Sequence, residues 1–395
     1  MAKYGLPDDV RFCVRCVMSN QRPASTIEHK HTAQSRKVTL HIDSEGVCDA
    51  CHVAEAKQSI DWGGREEGLM RLLDGYRSKS GAHDVIVPGS GGKDSYYAAH
   101  VLKNRYGMKP LLVTWAPHMA TEWGARNLER WQAIADHVMV TPNREVHRLM
   151  TRLALQNLLH PFQPFVIGQK NLAPKLSMQY GIPLVFYGES EAEYGNPKVE
   201  AESAKRAASY HADMGGIHFG GESIHELRTT YGLTDADLSA YMPADPGELD
   251  MMDVDVRYLG YYLKWKPQEC YYYAVEHGGF ECNPERTPGT WSKYSSIDDK
   301  LDDLHYYTTW IKFGIGRATY DAAQEIRSGD ITRPEGVALI HKFDGEYPER
   351  FEREVFEYLS VPGFEPMTRE YFFRLCDKFK SPHLWDGNKL RHVVA

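Results

Sequence analysis

Hydrophobic and polar positions between residues 84 and 187 alternate between short apolar runs and longer amphipathic segments. The apolar runs predict strands at 84–87, 110–115, 138–140 and 182–187. The segments between them predict helices at 94–106, 123–137, 144–159 and 169–180. Strands that alternate with helices of this length are typical of a parallel sheet covered by helices on both faces. The pattern therefore predicts an α/β fold for this part of the chain.

Residues 191–252 interrupt the alternation. They contain stretches with several Gly or Pro residues at 215–223 and 243–250, and we interpret them as an insertion over the carboxyl edge of the sheet. Residues 254–265 then return to a strand pattern.

The chain after residue 290 has a helical pattern. Ser296 is predicted to cap a helix that carries Asp298 and Asp299 in its first turn, because carboxylates there suit the helix dipole. Gly314 is predicted to end that helix. Residues 332–335 have the pattern of a capping box at the start of another helix.

Two cysteine pairs lie in the first 60 residues, which look like a separate module. A segment at 37–42 that alternates like a strand lies between the pairs, and residues 64–79 predict a linker helix. Four thiolates suit a closed tetrahedral Zn²⁺ site with a structural role. The alternatives are four free cysteines or a redox-active or iron–sulfur site. The four candidate ligands are Cys13, Cys16, Cys48 and Cys51.

Composition narrows the class of protein. The 395 residues include 46 Lys and Arg against 54 Asp and Glu, a net charge of −8 that disfavours a dedicated nucleic-acid binder. No apolar run approaches the roughly 18 residues of a membrane span, and residues 1–13 lack the apolar core of a signal peptide. We therefore expect a cytoplasmic protein without a nucleic-acid or membrane partner. Seven cysteines are too few for a disulfide scaffold.

The strongest chemical signal is a Gly-rich turn at 88–95, between a predicted strand and a predicted helix. Glycines let backbone amides approach an anion, and the helix N-terminus adds a favourable partial charge. Lys93 supplies a cation, and Asp94 supplies a carboxylate for a metal ion. The common GxxxxGK[ST] loop is excluded, because Val87 replaces its first Gly and Asp94 its Ser or Thr. The alternative is a turn without a ligand.

The sequence SGGKDS at 90–95 resembles the pyrophosphate loop of PP-loop ATP pyrophosphatases, the adenine nucleotide α-hydrolase-like fold. These enzymes cleave ATP to AMP and pyrophosphate. The resemblance implies that Trp115, at the end of the second strand, lies beside the adenine. It also implies that the pyrophosphate part of ATP is held by Ser90, Gly91, Gly92, Lys93, Asp94 and Ser95.

More specific motifs follow in the C-terminal part. They are GTWSKY at 289–294, DDKLD at 298–302, KFGIGRAT at 312–319 and EIRSGDITR at 325–333. With CVRCVMS, GVCDAC and SGGKDS, they make the chain similar to the N-acetyl sugar amidotransferases of bacterial surface-polysaccharide biosynthesis.

This resemblance implies conversion of a sugar acetamido group into an acetamidino group through an adenylated imidate, with ATP and catalytic Mg²⁺. One family member acts on a UDP-linked diacetamido mannuronic acid, so we expect an N-acetylated sugar acid, UDP-linked, as the substrate in O-antigen or related synthesis. The implied ammonia source is a glutaminase subunit with a cyclase-like subunit, both resembling those of imidazole glycerol phosphate synthase.

The sequence pattern and this resemblance together predict four parts of the chain. They are a zinc-ribbon-like module with the four cysteines at 1–60, a linker helix at 61–82, a PP-loop domain at 83–285 and a C-terminal helical domain at 286–395.

Several further candidate site residues have an alternative interpretation as solvated side chains. Lys170 is a candidate catalytic phosphate ligand or a solvated helix lysine. Three glutamates follow a predicted strand, at the edge where α/β sheets bind ligands: Glu189, Glu191 and Glu193. Glu189 is a catalytic candidate, and Glu191 is a candidate for substrate binding. At least one of the three is expected to be a solvated loop carboxylate.

Two cations in the C-terminal motifs are candidates for binding an acidic sugar or its diphosphate. They are Lys293 and Arg317, and the alternative for either is a structural salt bridge.

The remaining cysteines do not look like a glutaminase nucleophile. Cys270, Cys282 and Cys376 lack flanking glycines, and position 2 is Ala2 rather than the Cys of an N-terminal-nucleophile enzyme. We therefore predict that ammonia comes from a partner. A tRNA-thiolating PP-loop enzyme is the alternative function, which the cysteine-free stretch at 52–269 and the net charge disfavour; a non-catalytic interaction protein is a second alternative, which the intact loop disfavours.

Overall fold

A parallel sheet forms the centre of the molecule in the computed structural model, which describes residues 2–32, 35–189, 203–206 and 216–395. The strand order is β3-β2-β1-β4-β8-β5. Five strands run parallel, and the short edge strand β5 (Lys205–Arg206) runs antiparallel to β8. The parallel strands are β1 (Val85–Pro88), β2 (Pro110–Trp115), β3 (His137–Val140), β4 (Leu184–Tyr187) and β8 (Asp255–Tyr258).

Helices cover both faces of the sheet, so successive residues of a strand enter two different apolar clusters. In β1, Ile86 packs in one cluster, and Val85 and Val87 pack in the other. All four β1 residues are buried for this reason. The helices of this half are α1 (Asp49–Ala56), α2 (Trp62–Tyr76), α3 (Lys93–Asn104), α4 (Glu122–Gln132), α5 (Arg144–Leu158) and α6 (Gln163–Tyr180). The predicted α/β class is confirmed.

The rest of the described chain consists of short hairpins and helices. The hairpins are β6 (His218–Phe219) with β7 (Glu222–Ser223), and β9 (Trp385–Asp386) with β10 (Lys389–Leu390). The helices are α7 (Ile224–Tyr231), α8 (Asp235–Leu238), α9 (Pro246–Met251), α10 (Leu259–Tyr262), α11 (Pro267–Gly278), α12 (Asp302–Phe313), α13 (Arg317–Ser328), α14 (Arg333–Phe343), α15 (Glu352–Leu359) and α16 (Arg369–Phe379). None of the helices in the described ranges is long and apolar enough to cross a membrane.

The predicted helix start at Ser296 is wrong. Helix α12 begins at Asp302, and Ser296 has a positive φ of 55°. Asp298 and Asp299 therefore lie in the segment before the helix. The predicted end of this helix at Gly314 and the capping box of Thr332 with Glu335 are confirmed.

Two predicted strands are also shorter than expected. The strand predicted at 254–265 is limited to β8, because α10 follows it directly. The segment at 37–42 forms only isolated bridges, from Thr39 to Pro23 and from Ile42 to Cys48.

The N-terminal cysteine region packs against the C-terminal helices. One apolar cluster joins Cys13, Val17 and Leu40 to Leu304 and Ile340. Both chain ends thus share one core, and the predicted domain boundaries stay a prediction.

Candidate active site

The Gly-rich turn between β1 and α3 is shaped by close contacts that only glycine tolerates. Gly91 has a φ of +85°, and a Cβ there would lie 2.7 Å from the Cα of Leu128 in α4. Gly92 precedes the first residue of α3 without a side-chain cap. The first amides of an uncapped helix point outward and bind anions. The turn thus has the form of a phosphate-binding site.

Lys93 and Asp94 start α3 as an ion pair, with Nζ 2.5 Å from Oδ2. The other carboxylate oxygen, Oδ1, accepts a hydrogen bond from Nε1 of the buried Trp265 at 3.1 Å. Burial works against the charged form of Lys93, but the neighbouring Asp94 carboxylate outweighs it, so the pKa of Lys93 is raised. The Lys93 side chain is therefore a protonated cation that lies beside the turn.

A cavity of about 1030 Å³ opens next to the turn, at the carboxyl edge of β2 and β3. Its wall includes Ser90 from the turn and Trp115 at the end of β2. Gly168 of α6 lets this helix approach the indole, because a Cβ there would lie 2.2 Å from Trp115 Cε2. Asp302 and Tyr358 close the cavity from the C-terminal part. Parallel sheets bind ligands at this edge.

The segment before α12 connects the C-terminal part to the turn. Ser90 Oγ donates a hydrogen bond to Asp298 Oδ2 at 2.6 Å. Gly124 makes this approach possible, because a Cβ there would lie 2.6 Å from the Cα of Asp298. Burial raises the pKa of Asp298, although the Ser90 hydrogen bond opposes the shift.

Asp299 is buried and holds the loop that follows β2. Its Oδ2 accepts a hydrogen bond from the backbone N–H of His118 at 2.6 Å, and its Oδ1 accepts one from Met119 N–H at 3.3 Å. Sequence reasoning assigned Asp298 and Asp299 to a helix and missed both contacts. The DDKLD motif at 298–302 contains both carboxylates, but their contacts are with residues 180 to 208 positions away, which a local pattern does not show.

The other predicted residues are placed in different environments. Glu189 lies two residues after the end of β4. Its negative charge raises the pKa of Lys93, as the larger contribution of Asp94 does, whereas burial opposes the shift. Lys170 donates to the carbonyl of Ser25 at 2.7 Å. Ser95 Oγ donates to the Gly92 carbonyl at 3.0 Å. Glu191 and Glu193 lie outside the described residues.

The two C-terminal cations are engaged in local contacts. Arg317 pairs with Asp321 at 3.0 Å and donates to Ser296 Oγ at 2.7 Å. Lys293 is exposed and donates to the Pro284 carbonyl at 2.8 Å. Neither residue lines the cavity in the described part of the chain, and for Arg317 these contacts match the structural alternative.

Cys270 in α11 lies near Lys93 and Asp94, a proximity that the sequence did not suggest. Its thiol is buried, and burial raises its pKa, with Asp94 adding to the shift. A protonated, enclosed thiol is a poor nucleophile. The residue therefore lacks the character of a sulfur carrier.

The four N-terminal cysteines are brought together as predicted. Their sulfurs all lie within 4.8 Å of one another, and the Cys13–Cys51 and Cys16–Cys48 Sγ distances are both 3.7 Å. Four sulfurs about 2.3 Å from one zinc ion in a tetrahedron lie about 3.8 Å apart. Backbone N–H groups of Cys16 and Cys48 point at Cys13 Sγ, at 3.5 and 3.3 Å. The cluster fits Zn²⁺.

Residues 288–395 match the family model of the C-terminal domain of WbpG-like LPS biosynthesis proteins. We refer to residues 288–395, on the basis of this similarity, as the WbpG-like domain. The predicted resemblance to a surface-polysaccharide family is thereby confirmed. A comparison with curated protein sequences gave no significant match.

Several solved structures are similar to parts of the chain. An NH3-dependent NAD synthetase from Campylobacter jejuni is 13% identical, covers 49% of this chain and 92% of its own, and has a TM-score of 0.27. A predicted subunit of tRNA methyltransferase from Methanocaldococcus jannaschii is 14% identical over 60% of this chain and 92% of its own, with a TM-score of 0.25. NMN synthetase from Francisella tularensis is 18% identical over 49% of this chain and 93% of its own, with a TM-score of 0.19. These values say nothing about the substrate of this chain.

The WbpG-like domain contributes directly to the cavity. Asp298 reaches Ser90, Asp299 holds the loop after β2, and Tyr358 of α15 forms part of the wall. The region that carries the family match and the phosphate-binding turn therefore meet at one site.

Proposed function

We propose that this protein is an ATP-dependent amidotransferase that converts the N-acetyl group of a sugar into an acetamidino group. The observation that carries the proposal is the cavity that Ser90 of the Gly-rich turn shares with Asp298 and Tyr358 of the WbpG-like domain. The turn has the form required for the phosphates of ATP, and the WbpG-like domain connects the site to LPS biosynthesis. A substrate bound in this cavity would contact both the Gly-rich turn and the WbpG-like domain.

The first half of the proposed reaction activates an amide. The amide oxygen attacks the α-phosphorus of ATP, and pyrophosphate leaves toward the turn. Lys93 and the amides at the start of α3 would stabilise the negative charge of the leaving group. Asp94 and Asp298 supply the carboxylate oxygens that Mg²⁺ prefers. When bound, Mg²⁺ would neutralise charge on the phosphates.

In the second half, ammonia replaces AMP at the activated carbon. We propose that a glutaminase subunit delivers this ammonia through a cyclase-like subunit. Cys270 and Cys376 are both buried, whereas Cys282 is partly exposed, so burial argues against the first two as a nucleophile that glutamine must reach. The proposed substrate is an N-acetylated sugar acid, UDP-linked as in the related family member.

The decisive experiment uses the full chain with ATP, Mg²⁺ and ¹⁵N-ammonium. UDP-linked diacetamido mannuronic acid is the first probe, followed by other N-acetylated sugar acids. We expect one ¹⁵N atom in the product by mass spectrometry, with AMP and pyrophosphate formed in equal amounts. Cleavage of ATP to ADP, or no labelled product from any of these sugars, would contradict the proposal.

The ammonia source needs its own test. With glutamine instead of ammonium and no partner, we expect no product above background. Product formed by the purified chain alone would show that it contains a glutaminase site. Thiolated tRNA after incubation with a sulfur donor would instead support the alternative function.

A further inference from the structure

His118 lies in the loop after β2 and contributes to the wall of the cavity. Its side chain has no exposed surface, and Nδ1 lies 3.0 Å from Oδ2 of Asp299. The same oxygen accepts the backbone N–H of His118, so loop and ring are held together. A carboxylate accepts hydrogen bonds, so in the neutral imidazole the proton is expected on Nδ1. Nε2 then carries a lone pair.

This Nε2 has no hydrogen-bond partner among the described residues, although it is buried. Aromatic rings surround it: the centroid of the His118 ring is 4.5 Å from that of His147, 4.8 Å from Phe162 and 5.4 Å from Phe165. A buried acceptor without a partner costs free energy, so it is a candidate for a functional group. Phe165 is only partly buried and, like His118, is one of the residues that line the cavity.

Burial alone does not distinguish His118, because Nδ1 of His160 is also buried without a partner in the described part of the chain. His160, however, is not among the described residues that line the cavity. His118 differs from His160 in that its ring is oriented by the Asp299 carboxylate at Nδ1 and in that it belongs to a residue of the cavity wall. This is the arrangement of a base whose protonated form is stabilised by a buried acid.

The proposed reaction needs such a base. When the amide R–NH–C(=O)–CH3 attacks ATP, a new O–P bond forms and the P–O bond to pyrophosphate breaks. The neutral product is R–N=C(O–AMP)–CH3, so the proton on the amide nitrogen must leave. An amide nitrogen is a very weak acid in water, so a positioned acceptor accelerates this step.

We propose that Nε2 of His118 accepts the amide proton of the substrate during adenylation and that Asp299 orients the ring and stabilises the imidazolium. This role rests on the proposed function and names the group that carries out its first proton transfer. His118 is the catalytic residue, and Asp299 is a positioning residue.

The second half-reaction returns the proton. Ammonia adds to the imidate carbon, and His118 gives its proton back to the sugar nitrogen. The C–O bond to AMP then breaks with its electron pair on oxygen, and one ammonia proton passes to the departing phosphate. The product is the amidinium, and His118 is neutral again. The enclosing aromatic rings would keep water away from the hydrolysable imidate.

Several titratable groups in the described part of the chain lie around His118, among them Tyr358, whose ring centroid is 6.2 Å away. Asp299 faces Nδ1, and His147 of α5 lies beside the ring, with a pKa held well below its usual range by burial and by His118. Burial also holds the pKa of His305 of α12 well below its usual range, and the nearby imidazoles, His118 among them, add to that shift. Arg148 is bound to the carbonyl of Tyr358 at 2.6 Å. Asp299 is thus the anion in contact with the ring.

The first test measures exchange of labelled pyrophosphate into ATP, without ammonium, with UDP-linked diacetamido mannuronic acid as the probe. We expect His118→Gln to lower the exchange rate about 100-fold or more. The matched control, His160→Gln, removes another buried imidazole and should exchange like the wild type. Both variants should bind ATP as the wild type does.

The outcomes separate the two proposals. Wild-type exchange in His118→Gln would overturn the role of His118 and leave the proposed function standing. A wild-type protein that gives neither exchange nor amidine product with any N-acetylated sugar acid would overturn both.

A second test covers a His118→Gln variant that fails to fold, and its spectroscopic part needs no substrate. In ¹⁵N-histidine NMR spectra, the His118 ring should carry its proton on Nδ1. Asp299→Asn should move the proton to Nε2, because an amide N–H would then face Nδ1, and should also lower the exchange rate. A wild-type ring protonated on Nε2, or an Asp299→Asn variant with unchanged tautomer and exchange, would overturn the proposal.

Discussion

The two sites of this chain are both built from short local motifs, but one is closed and the other is open. The four cysteine sulfurs are enclosed, with residue exposures of 0, 0, 0 and 4%. The Gly-rich turn, in contrast, borders a cavity of about 1030 Å³ that the WbpG-like domain completes. A closed set of four ligands leaves no position for a reactant, whereas an open anion site does. We therefore expect the first site to contribute to stability and the second to hold the reactants.

Loss of Lys93 should have the largest effect on activity. Lys93→Ala removes the cation that faces the phosphates, so we expect formation of AMP and pyrophosphate to fall at least about 100-fold. Thermal unfolding should change little. Lys79→Ala, which removes an exposed lysine in the same half of the chain, is the matched control. Normal turnover in Lys93→Ala would contradict the assignment of the open site.

Loss of a cysteine ligand should have the largest effect on stability. Cys48→Ser should reduce the zinc content from one ion per chain and lower the stability by several kcal/mol, because metal binding is coupled to folding. Plasma emission spectroscopy and thermal unfolding measure the two effects. Cys282→Ser lies outside the cluster and is the control. A well-folded wild-type protein without zinc would contradict the interpretation of the four cysteines as a zinc site.

A smaller effect is expected at the contact between the two parts of the open site. Asp298→Asn keeps a hydrogen-bond acceptor for Ser90 but removes a charge beside the turn. We expect the Mg²⁺ dependence of ATP binding to weaken roughly tenfold, because a carboxylate contributes to divalent-cation binding. Titration calorimetry with ATP, with and without Mg²⁺, provides the measurement. The same Mg²⁺ dependence as in the wild type would remove Asp298 from the metal-binding residues.

The pH dependence of stability should reveal a buried carboxyl group in the wall of the open site. Burial raises the pKa of Asp302 to about 7, with Arg317 opposing the shift. The folded state therefore holds this proton more tightly than the unfolded state, and stability falls as pH rises from about 4 to about 7. Asp302→Asn should be more stable than the wild type at pH 8 by up to about 4 kcal/mol, at about 1.4 kcal/mol for each pKa unit, and equal to it near pH 4. Denaturant unfolding at both pH values tests this, and a difference that does not depend on pH would contradict it.

The fold and the loop could be predicted because their signals are local. Strand β2 occupies the predicted residues 110–115, and α3 begins where the Gly-rich turn ends. Buried parallel strands require continuous apolar runs, and a tight anion-binding turn requires adjacent glycines. Errors arose where tertiary contacts decided the backbone, as at Ser296, whose positive φ accompanies the contact of Asp298 with the turn.

The sequence by itself determined the α/β sheet, the Gly-rich turn and the two Cys-x-x-Cys pairs, since each depends on residues a few positions apart. Only the tertiary structure decided which groups from distant parts of the chain come together at the cavity. Ser90 and Asp298 are 208 residues apart, and His118 and Asp299 are 181 apart. Contacts at such separations leave no periodic pattern along a chain, because they depend on how the WbpG-like domain packs against the edge of the sheet.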